Sequence, residues 1–336
     1  MINMEIGSEF WKNSYATKKY IEAQPNSVCL LSGRTALDFI IRDIKNDLRF
    51  KKVMIPSYCC NSMIEPFRQN GIDIQFYPVT EEEIYYPEND ADAVLLIDFF
   101  GYRNPENIKL AIQEKKAGKI VIYDATHKLN ELDFPADYLF CSYRKWVYCN
   151  FAVAIKKNNA FHLEVPKVTN HIYVHMRNYA AECKKHYIFE KVSNKTEFLR
   201  LFAVAEDLLE KDYVGYAGIS EYIDMNKLIW ARRTNAEYLI NNLKEIDGVR
   251  LWKSHVDVSD TPLFVPILVK NGRRDKLREY LIQNDIYCPV HWPSSERYEM
   301  YGGFYAEELS LICDQRYTEE DMNREITIIE KFFEEI

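Results

Sequence analysis

The 336-residue sequence lacks several features that mark particular protein classes. It has no run of eighteen or more apolar residues, and its first residues lack the basic and apolar regions of a signal peptide. None of its eight cysteines belongs to a C-x-x-C pair, and no cysteine–histidine cluster has the spacing of a zinc site. We therefore expect a cytoplasmic protein with reduced thiols, no metal site and no membrane partner.

An excess of basic charge is also missing. The chain carries 43 Lys and Arg against 51 Asp and Glu, which gives a net charge of −8 and disfavours a nucleic-acid partner. We find no internal repeat and no low-complexity linker. A chain of this length can bury a large core and is expected to form about two domains.

Short apolar segments alternate with helical patterns from about residue 28 to residue 155. Strands are predicted at 28–31, 52–56, 72–77, 93–98, 120–124, 138–142 and 151–155, and the helices between them end near residues 44, 69 and 116. This alternation is typical of βαβ units and predicts an α/β fold with a mainly parallel sheet.

The remaining segments complete a two-domain prediction, with a large domain over 1–225 and a small C-terminal α+β domain over 226–336. An entry helix is predicted at 8–20 and a long helix at 224–243. Residues 156–216 give a mixed pattern of helix and loop, which either covers the site or packs against a second subunit. Strands are predicted at 249–252, 263–269 and 287–290, and helices at 274–284 and 318–335, the last with a capping box.

The ends of two predicted strands carry an acid and an amine. Ile120–Asp124 delivers Asp124 to the carboxyl edge of the sheet, where open α/β folds bind ligands, and Lys145 follows the strand 138–142 at the same edge. Each residue alone has an ordinary interpretation, since the stem of Lys145 could simply cover Trp146. Together they form the pair that a pyridoxal phosphate enzyme needs: a lysine for the aldehyde and an acid for the ring nitrogen.

A glycine turn follows the first predicted strand. Ser32-Gly33-Arg34-Thr35 leads directly into a helix, and such a junction presents unpaired backbone N–H groups to a phosphate. The alternative is a plain Ser/Thr N-cap with a glycine turn, which the local pattern also allows.

Several segments, in order, resemble the DegT/StrS-type family of sugar aminotransferases, which are pyridoxal phosphate enzymes of fold type I. The likeness runs over most of the chain, and the ordered set is more specific than any single motif. The segments are Ser32-Gly-Arg-Thr-Ala-Leu37, Ile55-Pro-Ser-Tyr58, Phe99-Phe-Gly101, Asp124-Ala-Thr-His127, Ser142-Tyr-Arg-Lys145, Arg232-Arg-Thr-Asn235 and Cys288-Pro-Val-His-Trp-Pro293.

The resemblance implies roles for individual residues. Lys145 would bind the cofactor and move the proton, Asp124 would pair with the ring nitrogen, and His127 would lie near the phenolic oxygen unless it is only a packed histidine. The phosphate would be bound at the turn that begins at Ser32 and by the Ser142 hydroxyl.

Within that turn, Gly33 and Arg34 would offer N–H groups to the phosphate, and the Thr35 hydroxyl would lie close by.

The sequence also departs from the family pattern. Cys60, or Cys59 with a one-residue slip, stands where most members place an aromatic ring over the cofactor, so Tyr58 could supply part of that contact. Val147-Tyr-Cys-Asn-Phe151 replaces a glycine-rich segment. Arg144 could bind the phosphate or the substrate, or it could point to solvent.

The implied activity is transfer of an amino group from glutamate or glutamine to a keto sugar nucleotide, in surface-polysaccharide or deoxysugar biosynthesis. A homodimer is implied as well, and Tyr58, Phe99, His291 and Trp292 are candidates for the substrate wall. Two alternatives remain: another reaction on the same cofactor, such as dehydration, or a binding or regulatory protein without turnover. Lysine at position 145 favours amino transfer, because the dehydratase branch of the family has histidine there.

Overall fold

The computed structural model describes residues 4–12, 26–47, 49–80, 84–129, 133–220, 223–292 and 297–335. The described strands and α-helices follow in chain order: β1 (Ile6–Gly7), β2 (Ser27–Leu30), α1 (Gly33–Asp47), β3 (Lys52–Pro56), α2 (Asn61–Gln69), β4 (Asp73–Tyr77), β5 (Ala93–Ile97), α3 (Pro105–Lys116), β6 (Ile120–Asp124), β7 (Tyr138–Ser142), β8 (Ala152–Lys156), α4 (His171–Glu190), α5 (Lys195–Lys211), α6 (Met225–Leu243), β9 (Val249–Leu251), β10 (Val265–Val269), α7 (Arg274–Gln283), β11 (Ile286–Tyr287), α8 (Tyr298–Glu307), β12 (Glu308–Leu311) and α9 (Glu319–Glu334).

A seven-stranded mixed sheet forms the largest unit of the fold. Its strand order is β2-β8-β7-β6-β5-β3-β4, and β8 is antiparallel to both of its neighbours while the other four strand pairs are parallel. Every residue of β5 and β7 is buried, as expected for apolar strands that are covered on both faces. The predicted α/β fold with a mainly parallel sheet is confirmed.

The C-terminal part of the chain forms a second core. β9, β10 and β12 make an antiparallel sheet in the order β12-β10-β9, and α6, α7 and α9 contribute buried apolar residues such as Leu239, Leu277 and Ile329. The short strand β1 pairs in parallel with β11, so that Ile6 belongs to this second core. The proposed domain boundary near residue 225 stays a prediction, but the first described residues pack with the C-terminal part.

Some predicted elements differ from the structure. Residues 8–12 are not helical, and the rest of the predicted entry helix, 13–20, lies outside the described residues. The mixed region 156–216 contains two long helices, α4 and α5, and the predicted strand 287–290 is replaced by β11 at 286–287. Within the described ranges, no helix combines the length and the apolar character that crossing a membrane requires.

Candidate active site

The carboxyl ends of β6 and β7 bring the predicted acid and amine to one edge of the large sheet. β6 ends at Asp124, which lies opposite Phe140 of the parallel strand β7. β7 ends at Ser142 and continues into a 3₁₀ turn, Tyr143–Lys145. Asp124 and Lys145 both line one cavity, which we name the first cavity.

Asp124 carries a buried carboxyl group that favours a cationic partner. It is 4% exposed, and its Oδ1 accepts a hydrogen bond of 2.8 Å from the backbone N–H of Thr126. Burial raises the pKa of Asp124 to about 6, while the Thr126 hydrogen bonds and the positive charge of Lys145 act in the opposite direction. Lys145 is exposed, and its amine is near enough to influence this pKa.

Thr126 links the acid-bearing loop to the lysine-bearing turn. Its hydroxyl accepts a hydrogen bond of 3.1 Å from the backbone N–H of Ser142, and its carbonyl accepts one of 2.8 Å from the indole Nε1 of Trp146. Trp146 directly follows Lys145 and is fully buried, so it anchors this end of the turn. These contacts hold the loop after Asp124 against both ends of the turn that carries Lys145.

The first turn of α1 and the end of β7 form a cradle that fits a phosphate. Ser32 Oγ accepts a hydrogen bond of 3.1 Å from the Thr35 N–H and so caps the helix, while the N–H groups of Gly33 and Arg34 have no acceptor within a helix. A Cβ at Gly33 would lie 3.0 Å from the Cβ of Ser142. The Ser142 Oγ is buried and has no hydrogen-bond partner in the described part of the chain. An anion with several acceptors would satisfy these donors.

The side chains of Arg34 and Thr35 lie in different environments. Arg34 lines the first cavity, and its guanidinium lies 5.4 Å from the ring centroid of Tyr213. Thr35 is fully buried, and its hydroxyl is bonded to Ser32 Oγ at 2.9 Å. We therefore assign the Thr35 hydroxyl to the helix cap and not to the predicted phosphate contact.

His127 is held as a neutral ring. The Phe100 N–H donates a hydrogen bond of 3.2 Å to Nδ1, which leaves the proton of the neutral ring on Nε2. Burial lowers the pKa of His127 well below its ordinary range, and the nearby His291 and Lys145 lower it further. His127 lines the first cavity and can act there as a hydrogen-bond donor.

The Phe99–Gly101 turn that supports His127 requires unusual backbone angles. Phe100 has φ +56° and Gly101 has φ +92°. A Cβ at Gly101 would lie 2.0 Å from the carbonyl oxygen of Thr261, which is too close for any side chain. Glycine is therefore needed at position 101, where the turn lies directly against the backbone of Thr261.

The aromatic candidates differ in position. Trp292 lines the first cavity, with its ring centroid 5.3 Å from that of His127. Phe99 and His291 are buried and do not line this cavity. Tyr58 is fully buried, and its hydroxyl donates a hydrogen bond of 2.6 Å to the carbonyl of His291. Since other aromatic rings, including Phe304, surround Tyr58, we correct its predicted cofactor contact to a core position.

Cys60 is the residue that the sequence predicts to lie over the cofactor ring. It immediately precedes α2 and lines the first cavity, where its thiol is 2.9 Å from the hydroxyl of Ser62. Cys59 is fully buried, so the alignment without a slip is the one that fits the cavity. Trp292 and Phe140 are aromatic residues among the described lining of the first cavity.

A second cavity, of about 510 Å³, meets the first at Lys145 and Arg144. Residues from the N-terminal segment, from α4 and α5 and from the C-terminal part line it. Its described lining contains seven cationic side chains and three acidic ones: Arg144, Lys145, Arg177, Lys195, Arg232, Arg278 and Arg316, against Glu9, Glu206 and Asp314.

The guanidinium of Arg144 contacts protein groups in the wall that the two cavities share. Its guanidinium makes two hydrogen bonds to the carboxylate of Glu206, at 2.6 and 3.0 Å, and a third of 3.2 Å to the hydroxyl of Tyr173. Glu206 also accepts a hydrogen bond of 3.1 Å from Arg177. Sequence reasoning missed Glu206 and Arg177, because neither belongs to a recognisable motif.

The Arg232–Asn235 motif lies in α6 and has a structural role. The guanidinium of Arg232 stacks 4.6 Å from the ring centroid of Trp146 and donates a hydrogen bond of 2.9 Å to the Leu263 carbonyl. The side-chain amide of Asn235 donates to backbone carbonyls of the loop before α9. Pro293, at the end of the other C-terminal motif, lies outside the described residues.

Comparison with known proteins gives matches at the level of structure. No protein-family model matches this sequence, and no curated protein matches it. Helicobacter pylori PseC, an aminotransferase involved in the biosynthesis of pseudaminic acid, aligns over 99% of this chain and 100% of its own, with a TM-score of 0.66 and 12% identity. The sugar aminotransferase CalS13 from Micromonospora echinospora aligns over 98% and 100%, with a TM-score of 0.64 and 12% identity.

A third solved structure, NtdA from Bacillus subtilis with bound cofactor PMP, aligns over 91% of this chain and 73% of its own, with a TM-score of 0.59 and 13% identity. These neighbours agree with the resemblance that the sequence motifs indicated. The chain therefore shares the fold of these aminotransferases.

Proposed function

We propose that this protein is a pyridoxal phosphate-dependent aminotransferase that transfers an amino group from glutamate or glutamine to a keto sugar nucleotide. One observation carries the proposal: Lys145 and the buried carboxyl of Asp124 face the same cavity, next to the cradle formed by α1 and Ser142. Similarity in fold alone would not be sufficient, because one fold supports many activities.

The residues of the first cavity fit the cofactor in three places. Asp124 would pair with the ring nitrogen, since a desolvated carboxyl group with a raised pKa is stabilised in its charged form by an adjacent cation. His127 would donate its Nε2 proton to the phenolic oxygen. Gly33, Arg34 and Ser142 would donate hydrogen bonds to the phosphate.

The bound cofactor would supply an electron sink for the carbon that loses its proton. Lys145 would hold the cofactor through its amine and, once released, carry the proton between two carbon atoms. Its position on a short turn fixed by Thr126 and Trp146 would limit how far the amine moves. Cys60 and Trp292 would form the wall beside the ring.

The second cavity supports an anionic substrate. Apart from Lys145, its described lining contains six cationic and three acidic side chains, which leave an excess of positive charge next to the amine. A sugar linked to a nucleoside diphosphate carries negative charge at one end and the reactive keto group at the other. Such a molecule would bind with its charged end in the second cavity and its keto carbon near Lys145.

We also propose a homodimer in the cytoplasm. α4 and α5 direct Arg177 and Glu206 towards the second cavity, while Ile172 and Phe189 of α4 remain exposed on another face. Exposed apolar side chains on one helix are typical of an interface with another subunit. The mass of the purified protein, measured by light scattering after size exclusion, tests the proposed homodimer.

Absorbance spectroscopy tests the proposed activity. The protein is loaded with pyridoxal phosphate, freed of excess cofactor and mixed with glutamate or glutamine in a single turnover. Conversion of the lysine-bound absorbance to that of the pyridoxamine form supports amino transfer. A protein that retains the cofactor but responds to neither donor would instead be a binding or regulatory protein, or an enzyme of another reaction class.

A further inference from the structure

An ion cluster lies directly beside the lysine-bearing turn. In this cluster Arg177 is buried, whereas the side chain of Glu206 is 42% exposed. The Glu206 carboxylate accepts two hydrogen bonds from Arg144, at 2.6 and 3.0 Å, and one of 3.1 Å from Arg177. Arg144 belongs to the same 3₁₀ turn as Lys145 and precedes it directly. Glu206 lies on α5 and Arg177 on α4, so three separate parts of the chain meet at this carboxylate.

The geometry restricts the turn in a specific way. A two-point contact between a guanidinium and a carboxylate fixes the plane as well as the position of the Arg144 side chain. The hydroxyl of Tyr173 accepts a third hydrogen bond from the same guanidinium, at 3.2 Å. Because Lys145 is the next residue, the direction in which its side chain leaves the turn depends on this contact.

The cluster also contributes to the charge around the Lys145 amine. The pKa of Glu206 is lowered to about 2, because Arg144, Arg177 and Lys145 outweigh the opposing effect of burial, so the carboxylate stays charged at every working pH. Without it, the two arginines would place uncompensated positive charge next to a third cation.

We propose that Glu206 is a positioning residue of the active site: it orients the Lys145 turn through Arg144 and supplies a negative charge near the nitrogen that would join Lys145 to the cofactor. This inference rests on the proposed function, because it concerns the lysine that would hold the cofactor. It assigns to α4 and α5 a role in the site in addition to covering it.

Other charged groups line the two cavities that meet at Lys145. They come from the N-terminal segment, α1, the sheet edge, α5, α6 and the C-terminal part: Glu9, Arg34, Asp124, His127, Lys195, Arg232, Arg278, Asp314 and Arg316. Glu206→Gln leaves all of them unchanged. The variant therefore isolates the contribution of one carboxylate.

The test is a pH titration of the absorbance of the lysine-bound cofactor in the loaded protein, which reports the protonation of the Lys145 nitrogen. Glu206→Gln should lower the apparent pKa of this transition by about one unit, the scale expected for the loss of one nearby charge. Arg177→Gln should shift it upwards, since it removes a positive charge and leaves the Glu206–Arg144 contact in place. Glu206→Asp should recover most of the wild-type value.

Glu210→Gln is the matched control, because Glu210 is one turn further along α5 and exposed. It should leave the titration unchanged. Shifts of opposite sign for Glu206→Gln and Arg177→Gln support the inference, since damage to packing would move both in the same direction. If Glu206→Gln does not fold, the upward shift of Arg177→Gln and the recovery in Glu206→Asp decide the question.

Unchanged titrations in Glu206→Gln and Arg177→Gln, or shifts of the same sign, would overturn the inference while leaving the proposed function intact. A wild-type protein that shows no lysine-bound absorbance at any pH would overturn both. The two failures are thus distinguishable within one experiment.

Discussion

Glu325 of α9 gives a stability prediction that does not depend on the proposed activity. Its side chain is fully buried, its Oε1 accepts hydrogen bonds from the Cys288 thiol at 3.2 Å and the Ile312 N–H at 3.3 Å, and its Oε2 has no partner among the described residues. Burial raises the pKa of Glu325 from 4.5 to about 8, although these hydrogen bonds and Arg324 act against the rise. The folded protein therefore holds a proton on Glu325 at neutral pH.

The sign of the pH dependence follows from this raised pKa. Below pH 4.5 both the folded and the unfolded chain carry the proton, so Glu325 costs no stability. As pH rises towards 8, the unfolded chain releases the proton and the folded chain does not, so the wild type loses stability at about 1.4 kcal/mol per pH unit. Above pH 8 the loss levels off.

Glu325→Gln keeps the shape of the protonated side chain and removes its titration. The free energy of unfolding of the variant, relative to the wild type, should therefore increase by about 2.5 kcal/mol between pH 5 and pH 7. Urea denaturation of both proteins at pH 5, 6, 7 and 8 measures this difference, and titrations of the other groups cancel in the comparison.

Glu330→Gln on the exposed face of the same helix is the control and should show no such trend. A difference between Glu325→Gln and the wild type that is constant from pH 5 to pH 8 would refute the reasoning. It would mean that the folded protein accommodates the charged carboxylate of Glu325.

Three further predictions concern the site and its support. Asp124→Asn should slow the first half-reaction with glutamate by about 100-fold or more in stopped-flow absorbance, because the ring nitrogen loses its charged partner. Gly33→Ala should weaken the binding of pyridoxal phosphate by roughly tenfold but leave that of pyridoxal unchanged, since the added Cβ would meet Ser142 in the phosphate cradle. Gly101→Ala should lower the free energy of unfolding by about 2 kcal/mol or more in urea, because the new Cβ would overlap the Thr261 carbonyl at a positive φ. Equal losses of affinity for pyridoxal phosphate and for pyridoxal would contradict the prediction for Gly33→Ala. An unchanged free energy of unfolding would contradict the prediction for Gly101→Ala.

Local sequence patterns predicted most of the large sheet and its helices. β7 at 138–142 matches its predicted range because it is a short apolar run. α3 ends at Lys116 as predicted, because it begins with proline after the capping Asn104 and ends before Gly118. The positions of Asp124 and Lys145 at one sheet edge were also predictable, because Asp124 ends β6 and Lys145 ends the turn that follows β7.

Elements that depend on distant contacts were not predictable in the same way. β12 contains Glu308 and Ser310, which are both fully buried although their residue types indicate an exposed strand face. The Glu308 carboxylate accepts a hydrogen bond of 3.0 Å from the His291 N–H, which only the folded chain brings close to it. Glu206 is similar, because its partner Arg144 lies 62 residues away and no local motif marks the pair.

The central claim is that Lys145 holds the cofactor beside Asp124. The most direct measurement is borohydride reduction of the protein loaded with pyridoxal phosphate, followed by digestion and mass spectrometry of the labelled peptide. The claim predicts a single label on Lys145, its loss in Lys145→Ala, and its retention in Lys195→Ala, which removes another amine from the wall of the second cavity. A label on a different lysine, or equal labelling of Lys145→Ala and the wild type, would contradict the claim.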